Sequence, residues 1–128
     1  MVTSQRVSFD PAAVGPTRAA LVSELDGLDN VTPECRDNAA LVLSELLGNA
    51  IRHAAPLDDG RVLVTWDVVD RAVRISVSGG RGPTEPRVRN APLLATDGRG
   101  LAIVDTLAER WWRDVDGPVT TVHALLPC

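Results

Sequence analysis

Two groups of residues in this chain could do chemistry. In the stretch Leu41-Val-Leu-Ser-Glu-Leu-Leu-Gly-Asn-Ala-Ile-Arg-His-Ala54, Glu45, Asn49 and Arg52 follow one another at intervals of four and three residues. On a helix, at about 100° per residue, the three fall within an arc of about 60° and form a narrow line of acid, amide and cation. Further on, Gly98-Arg99-Gly100 opens an apolar run with helical spacing. The start of a helix offers unpaired N–H groups and the positive end of its dipole, and glycines there let the backbone approach a phosphate closely.

Each feature has a plainer reading. A polar line on an isolated helix is commonly a solvated stripe with an i, i+4 hydrogen bond, and a lone Gly-x-Gly is commonly a turn. The surroundings of the polar line argue for a pocket. Leu43, Leu47, Ala50 and Ala54 occupy the opposite side and Leu41 and Val42 flank the line, so the helix is apolar almost all round. Arg52 reads equally well as a cation near a helix C-terminus. His53, rotated by about 80° from Glu45, reads as a helix-end residue that packs or caps.

The 128 residues suffice for one domain with a real core, residues 1–128, and are too few for two. With 45% hydrophobic and 23% charged residues the composition is that of a soluble globular protein. A net charge of −4 leaves no electrostatic footprint for direct nucleic-acid or membrane binding. No early segment has the basic start and apolar run of a secretory signal, and no stretch reaches membrane-spanning length, so a cytoplasmic location is expected. Cys35 and Cys128 lack metal-ligand spacing and are expected to be reduced thiols.

The elements that must position these residues can be read in order. Gln5 to Phe9 alternates as a short strand, and Asp10-Pro11 turns into a helix over Val14 to Leu25. Thr32 before Pro33 caps a long helix that carries the polar line and stops near Ala55-Pro56. Arg61 to Val69 and Ala72 to Ser78 form a hairpin. The glycine- and proline-rich stretch from Gly79 to Gly98 is expected to be a long irregular segment. A third helix from Gly98 to Ala108 follows. The strands Arg110 to Val115 and Val119 to Leu126 then meet around Asp116-Gly117, a hairpin turn signal. This order predicts an α/β (α+β) two-layer sandwich: a mixed, mostly antiparallel sheet with helices on one face. Trp66, Trp111 and Trp112 are expected to pack on the sheet, since no basic cluster accompanies them.

Glu45-Leu-Leu-Gly-Asn49-Ala-Ile-Arg-His53-Ala resembles the N-box of the GHKL family, the ATP-binding domain shared by gyrase, Hsp90, sensor histidine kinases and MutL. Gly98-Arg99-Gly100-Leu101 resembles that family's second glycine box. Val7-Ser-Phe9 with Arg18 beyond it, and Arg110-Trp111-Trp112, look like the bacterial anti-sigma-factor serine/threonine kinases within it. The resemblance covers essentially the whole chain and implies the Bergerat ATP-binding fold. By it, Asn49 would hold the Mg²⁺ that bridges the phosphates of ATP, consistent with a cation that needs few protein ligands. Glu45 would be the general base, Arg52 a phosphate contact, and Gly98, Arg99, Gly100 and Leu101 the phosphate cradle. It further implies phosphorylation of a small antagonist protein, sequestration of a sigma factor, and homodimers.

The family pattern breaks at one position. Its first glycine box begins with an aspartate that hydrogen-bonds the adenine amino group. Aligning the later Gly82-Pro83-Thr84 with that box puts Gly79 where the aspartate belongs, and Ser78 should point to the other face of the strand. A hydrogen bond to a charged group contributes about 1.5 to 3 kcal/mol, so its loss should cost about one to two decades of affinity. Three readings follow: an ATP-dependent kinase with weakened nucleotide binding, a nucleotide-independent protein-binding module of the same shape, or a stand-alone ATPase.

Overall fold

The computed structural model describes residues 2–81 and 99–128. Strand β1 (Val2–Ser8) leads through a single 3-10 turn (Pro11–Ala13) into α1 (Val14–Asp26) and α2 (Pro33–His53). Strands β2 (Arg61–Val69) and β3 (Ala72–Gly80) follow, then α3 (Arg99–Leu107), β4 (Arg110–Asp116) and β5 (Val119–Pro127). The five strands form one sheet in the order β1-β2-β3-β5-β4. All four pairings are antiparallel, so the mostly antiparallel sheet expected from the sequence has no parallel pair among the described strands.

Alternation in the strands divides the sheet into two faces. Val62, Val64 and Trp66 of β2, Val73, Ile75 and Val77 of β3, and Ala124 and Leu126 of β5 are buried. They form one core with Leu21 and Leu25 of α1, Leu43, Leu46 and Leu47 of α2, and Leu101 and Val104 of α3. The indole Nε1–H of Trp66 would be an unsatisfied donor in that core, and Glu24 Oε2 on α1 accepts it at 2.8 Å. The opposite face is polar and laced by side-chain hydrogen bonds. Ser78 pairs with Thr121 at 2.7 Å and Ser76 with His123 Nδ1 at 2.7 Å. His123 Nε2 reaches Asp114 at 3.0 Å, and its ring stacks on Trp112 with centroids 4.9 Å apart.

Helix α2 is the element that carries the polar line, and its ends are fixed locally. The Thr32 hydroxyl oxygen accepts from the Cys35 N–H at 3.1 Å, with proline at the first helical turn. At the other end Ala54 turns extended two residues before Pro56. Leu41 is 42% exposed, so the helix has one more solvent-facing apolar position than its wheel suggests.

Three expectations are corrected. Cys35 and Cys128 are joined by a disulfide, with Cα atoms 5.2 Å apart, and are not reduced thiols. The pairing follows from the fold: the first turn of α2 lies beside the end of β5, although 93 residues separate the two cysteines in sequence. Gly79 and Gly80 belong to β3 and not to an irregular segment, because β5 continues the ladder opposite them, with Gly79 facing Thr120 and Gly80 facing Val119. The first strand starts at Val2, because β2 offers partners as far as Asp67. The expectations placed on 82–98, Gly98 among them, lie outside the described residues. Among the described residues no helix is long and apolar enough to cross a membrane.

Candidate functional site

Helix α2 packs against β3 and β5 with α1 and α3 beside it. Between its C-terminal half and the sheet lies a cavity of about 30 Å³. Leu46, Asn49, Ala50, His53 and Ala54 line it from α2 and the residue that follows, Val77 and Gly79 from β3, and Thr120 and Val122 from β5. Its walls are therefore apolar, with three polar side chains: Asn49, His53 and Thr120.

The three residues of the polar line are placed differently from one another. Asn49 lines the cavity and is half-buried. Glu45, one turn earlier, is half-buried and does not line it. Arg52 is exposed, and its guanidinium lies over Gly48, where Nη1 would stand 3.3 Å from an added Cβ. Leu101 is buried in the core and fixes α3 against the helical layer. Arg99 and Gly100 begin α3.

Gly79 sits at the floor of the cavity in close contact with the segment after α2. A Cβ there would come within 3.1 Å of the Ala55 carbonyl oxygen and 3.5 Å of Ala54 Cβ. Next to it, Gly80 and Ala55 exchange backbone hydrogen bonds, Ala55 N–H to Gly80 O at 3.0 Å and Gly80 N–H to Ala55 O at 2.6 Å. A Cβ on Gly80 would lie 2.6 Å from the Pro56 carbonyl oxygen. The paired glycines thus allow the chain leaving α2 to cross the end of β3. As expected, Ser78 points to the other face, where Thr121 engages it.

Two residues of the cavity carry a signal that helix spacing does not reveal. Thr120 is only 5% exposed, and its hydroxyl has no hydrogen-bond partner among the described residues. His53 Nε2 is likewise buried without one. Buried polar atoms are nearly always paired, so two orphans in one cavity mark a place where a polar ligand or water belongs. The sequence signal for Thr120 was its phase: it shares the inward face of β5 with Val122, Ala124 and Leu126, where a hydroxyl is out of place.

These residues meet the demands of Mg-ATP unevenly. Among the described residues no group of three His, Cys, Asp or Glu side chains could hold a metal. A Mg²⁺ here would take the Asn49 amide oxygen together with phosphate oxygens and water, which its preference for few protein ligands permits. The base end is tight, since about 30 Å³ is the share of liquid volume of a single water molecule, whereas ligand pockets run to several hundred Å³. A larger depression of about 680 Å³ lies elsewhere, lined by Arg6, Asp59, Ser78 and Arg81 among others. It borders the point at which the described chain breaks off, and none of Glu45, Asn49 and Arg52 lines it.

Residues 7–124 match the family model of the histidine kinase-like ATPase domain. No curated protein matches the chain. Among solved structures, the histidine kinase AdeS of Acinetobacter baumannii superposes with a TM-score of 0.53 at 18% identity, over 99% of this chain and 68% of that one. The histidine kinase domain of the blue-light-activated kinase EL346 from Erythrobacter litoralis gives 0.52 at 22% identity, over 91% of this chain and 60% of that one. At these identities the two structures establish a shared fold.

Proposed function

We propose that this chain, which belongs to the histidine kinase-like ATPase domain family, binds Mg-ATP between α2 and the sheet and transfers its γ-phosphate to a serine or threonine of a partner protein. The observation that carries the reading is the position of Asn49: it lines a cavity between α2 and the sheet, with Glu45 a helical turn away. Phosphoryl transfer asks a protein mainly for positioning and charge neutralisation. The bound Mg²⁺ would supply that neutralisation across the phosphates. Asn49 orients the phosphate end by its amide oxygen, and the N-terminus of α3 at Arg99 and Gly100 offers backbone N–H groups to the same anion. Glu45 accepts the proton of the attacking hydroxyl.

The partner class is taken from the likeness of Val7-Ser-Phe9 with Arg18, and of Arg110-Trp111-Trp112, to the bacterial anti-sigma-factor kinases. On that basis the substrate is a small antagonist protein and the regulated partner a sigma factor, in a switch that works as a homodimer. A second reading is favoured by one observation: Gly79 lacks a side chain, and the cavity over it is closed to about one water. In that reading the domain captures its partner without chemistry.

Incubation with γ-labelled ATP and candidate antagonist proteins separates the two. Label on the partner supports the kinase. A stable complex without label supports the binding module, and release of free phosphate with no label on protein points to a simple ATPase and sinks both.

A further inference from the structure

The face of the sheet turned away from the helices carries a second ordered set of polar groups. Register puts Ser76 of β3 opposite His123 of β5, and His123 opposite Trp112 of β4. Ser76 Oγ lies 2.7 Å from His123 Nδ1, and His123 Nε2 lies 3.0 Å from Asp114 Oδ2. A carboxylate oxygen only accepts, so the proton of the neutral imidazole belongs on Nε2 and Nδ1 keeps its lone pair. The Ser76 hydroxyl then donates to Nδ1, which sets a nucleophile against a base that a third group orients. The imidazole plane is held too: Trp112 stacks on it with 17° between the rings, and the Arg110 guanidinium lies over Trp112, 4.7 Å from its centroid. Ser78, two residues on and on the same face, is the contrast. Its hydroxyl pairs at 2.7 Å with that of Thr121, which is no base.

A depression of about 170 Å³ opens beside the pair, lined by Val2, Thr65, Asp67, Arg74, Ser76 and His123. Thr65 stands opposite Ser76 across the β2-to-β3 pairing. Its hydroxyl and the Arg74 guanidinium are donors for an oxygen that gains negative charge in the depression. Arg74 Nη2 lies 3.8 Å from Asp67 Oδ2, an ion pair that occupies only part of a fork with five donors. The volume suits a short acyl group.

We propose that Ser76 and His123, positioned by Asp114, form an acyl-transfer centre that cleaves small carboxylic esters on the open face of the sheet. Ser76 Oγ forms a bond to the acyl carbon while its proton passes to His123 Nδ1. The ester C–O bond breaks, and the leaving alcohol takes that proton. A water molecule then gives a proton to Nδ1 and adds to the acyl carbon; the acid leaves, and Ser76 Oγ recovers the proton from His123. The centre does not rest on the nucleotide reading, because strand alternation turns Val77 towards the α2 cavity and Ser76 away from it.

The test exposes the whole chain to two probes, a fluorophosphonate and p-nitrophenyl acetate, with no nucleotide present. The fluorophosphonate should label Ser76 and spare Ser78, a comparison made by peptide sequencing in the wild-type chain that needs no variant. His123→Gln, checked for folding by circular dichroism, keeps an acceptor beside Ser76 but removes the base, and should slow that labelling by at least about 10². Asp114→Ala should slow it as well, and Asp114→Glu, which keeps the acceptor for Nε2–H, should restore it. Release of p-nitrophenol should stop in Ser76→Ala and in the labelled wild-type chain. Equal labelling of Ser76 and Ser78, labelling indifferent to His123→Gln or Asp114→Ala, or release that survives Ser76→Ala overturns the proposal.

Discussion

Gly79 lies so close to Ala55 that a methyl group on it would stand 3.1 Å from the Ala55 carbonyl oxygen. The chain that follows α2 thus occupies the space beside Gly79, and a side chain at that position would have to displace it.

That contact orders two substitutions. Gly79→Ala needs the Ala55 carbonyl to give by a few tenths of an ångström and should cost about 1 kcal/mol. Gly80→Ala drives a methyl to within 2.6 Å of the Pro56 carbonyl oxygen, breaks the bridge to Ala55, and should cost about 2 to 3 kcal/mol, the upper part of the overpacking range. Urea midpoints of the two variants check the order, which fails if Gly80→Ala is as stable as Gly79→Ala.

The disulfide between Cys35 and Cys128 closes a loop with a sequence separation of 93. Loop-closure entropy for such a span is worth about 4 to 5 kcal/mol to the folded state. Cys128→Ser should lower the guanidinium midpoint accordingly, and added reductant should then have no further effect on the variant. An unchanged midpoint in the wild-type chain on reduction would refute this.

Glu24 accepts hydrogen bonds from both Trp66 Nε1 and Thr3 Oγ1 at 2.8 Å. Glu24→Ala leaves the buried indole N–H without an acceptor, at a cost of about 1 to 3 kcal/mol. Trp66→Phe in the same background removes the orphaned donor and should cost less there than in the wild-type chain, a coupling that a double-mutant cycle on thermal melts would measure.

Glu45→Gln keeps size and hydrogen-bonding capacity but removes the base. Phosphate transfer to the partner should fall by about 10² to 10⁴ while Mg-ATP affinity stays within about threefold, since Glu45 does not line the cavity. Equal losses in transfer and affinity would make Glu45 a binding residue instead.

The layers of this fold were legible because their signals are local. The period of two in β2, β3 and β5 and the capped helical stretch after Thr32 announce themselves within a few residues. What could not be read depends on pieces far apart in the chain. The disulfide needs the start of α2 to meet the end of β5, and no spacing rule encodes that. Thr120 and His53 enter the site only because β5 lies next to β3 beneath α2, an order set by tertiary pairing. The helical wheel put Arg52 beside Asn49, but it could not show that the last turn of α2 leaves Arg52 in solvent over Gly48.

The most direct trial of the account is calorimetric titration of the wild-type chain and Asn49→Ala with ATP, each with Mg²⁺ and with a chelator. The account predicts saturable one-to-one binding by the wild type with Mg²⁺, weakened at least tenfold by Asn49→Ala, and a difference between the two proteins that disappears without the metal. Equal affinities with Mg²⁺ present, or no saturable binding by the wild type, would contradict it.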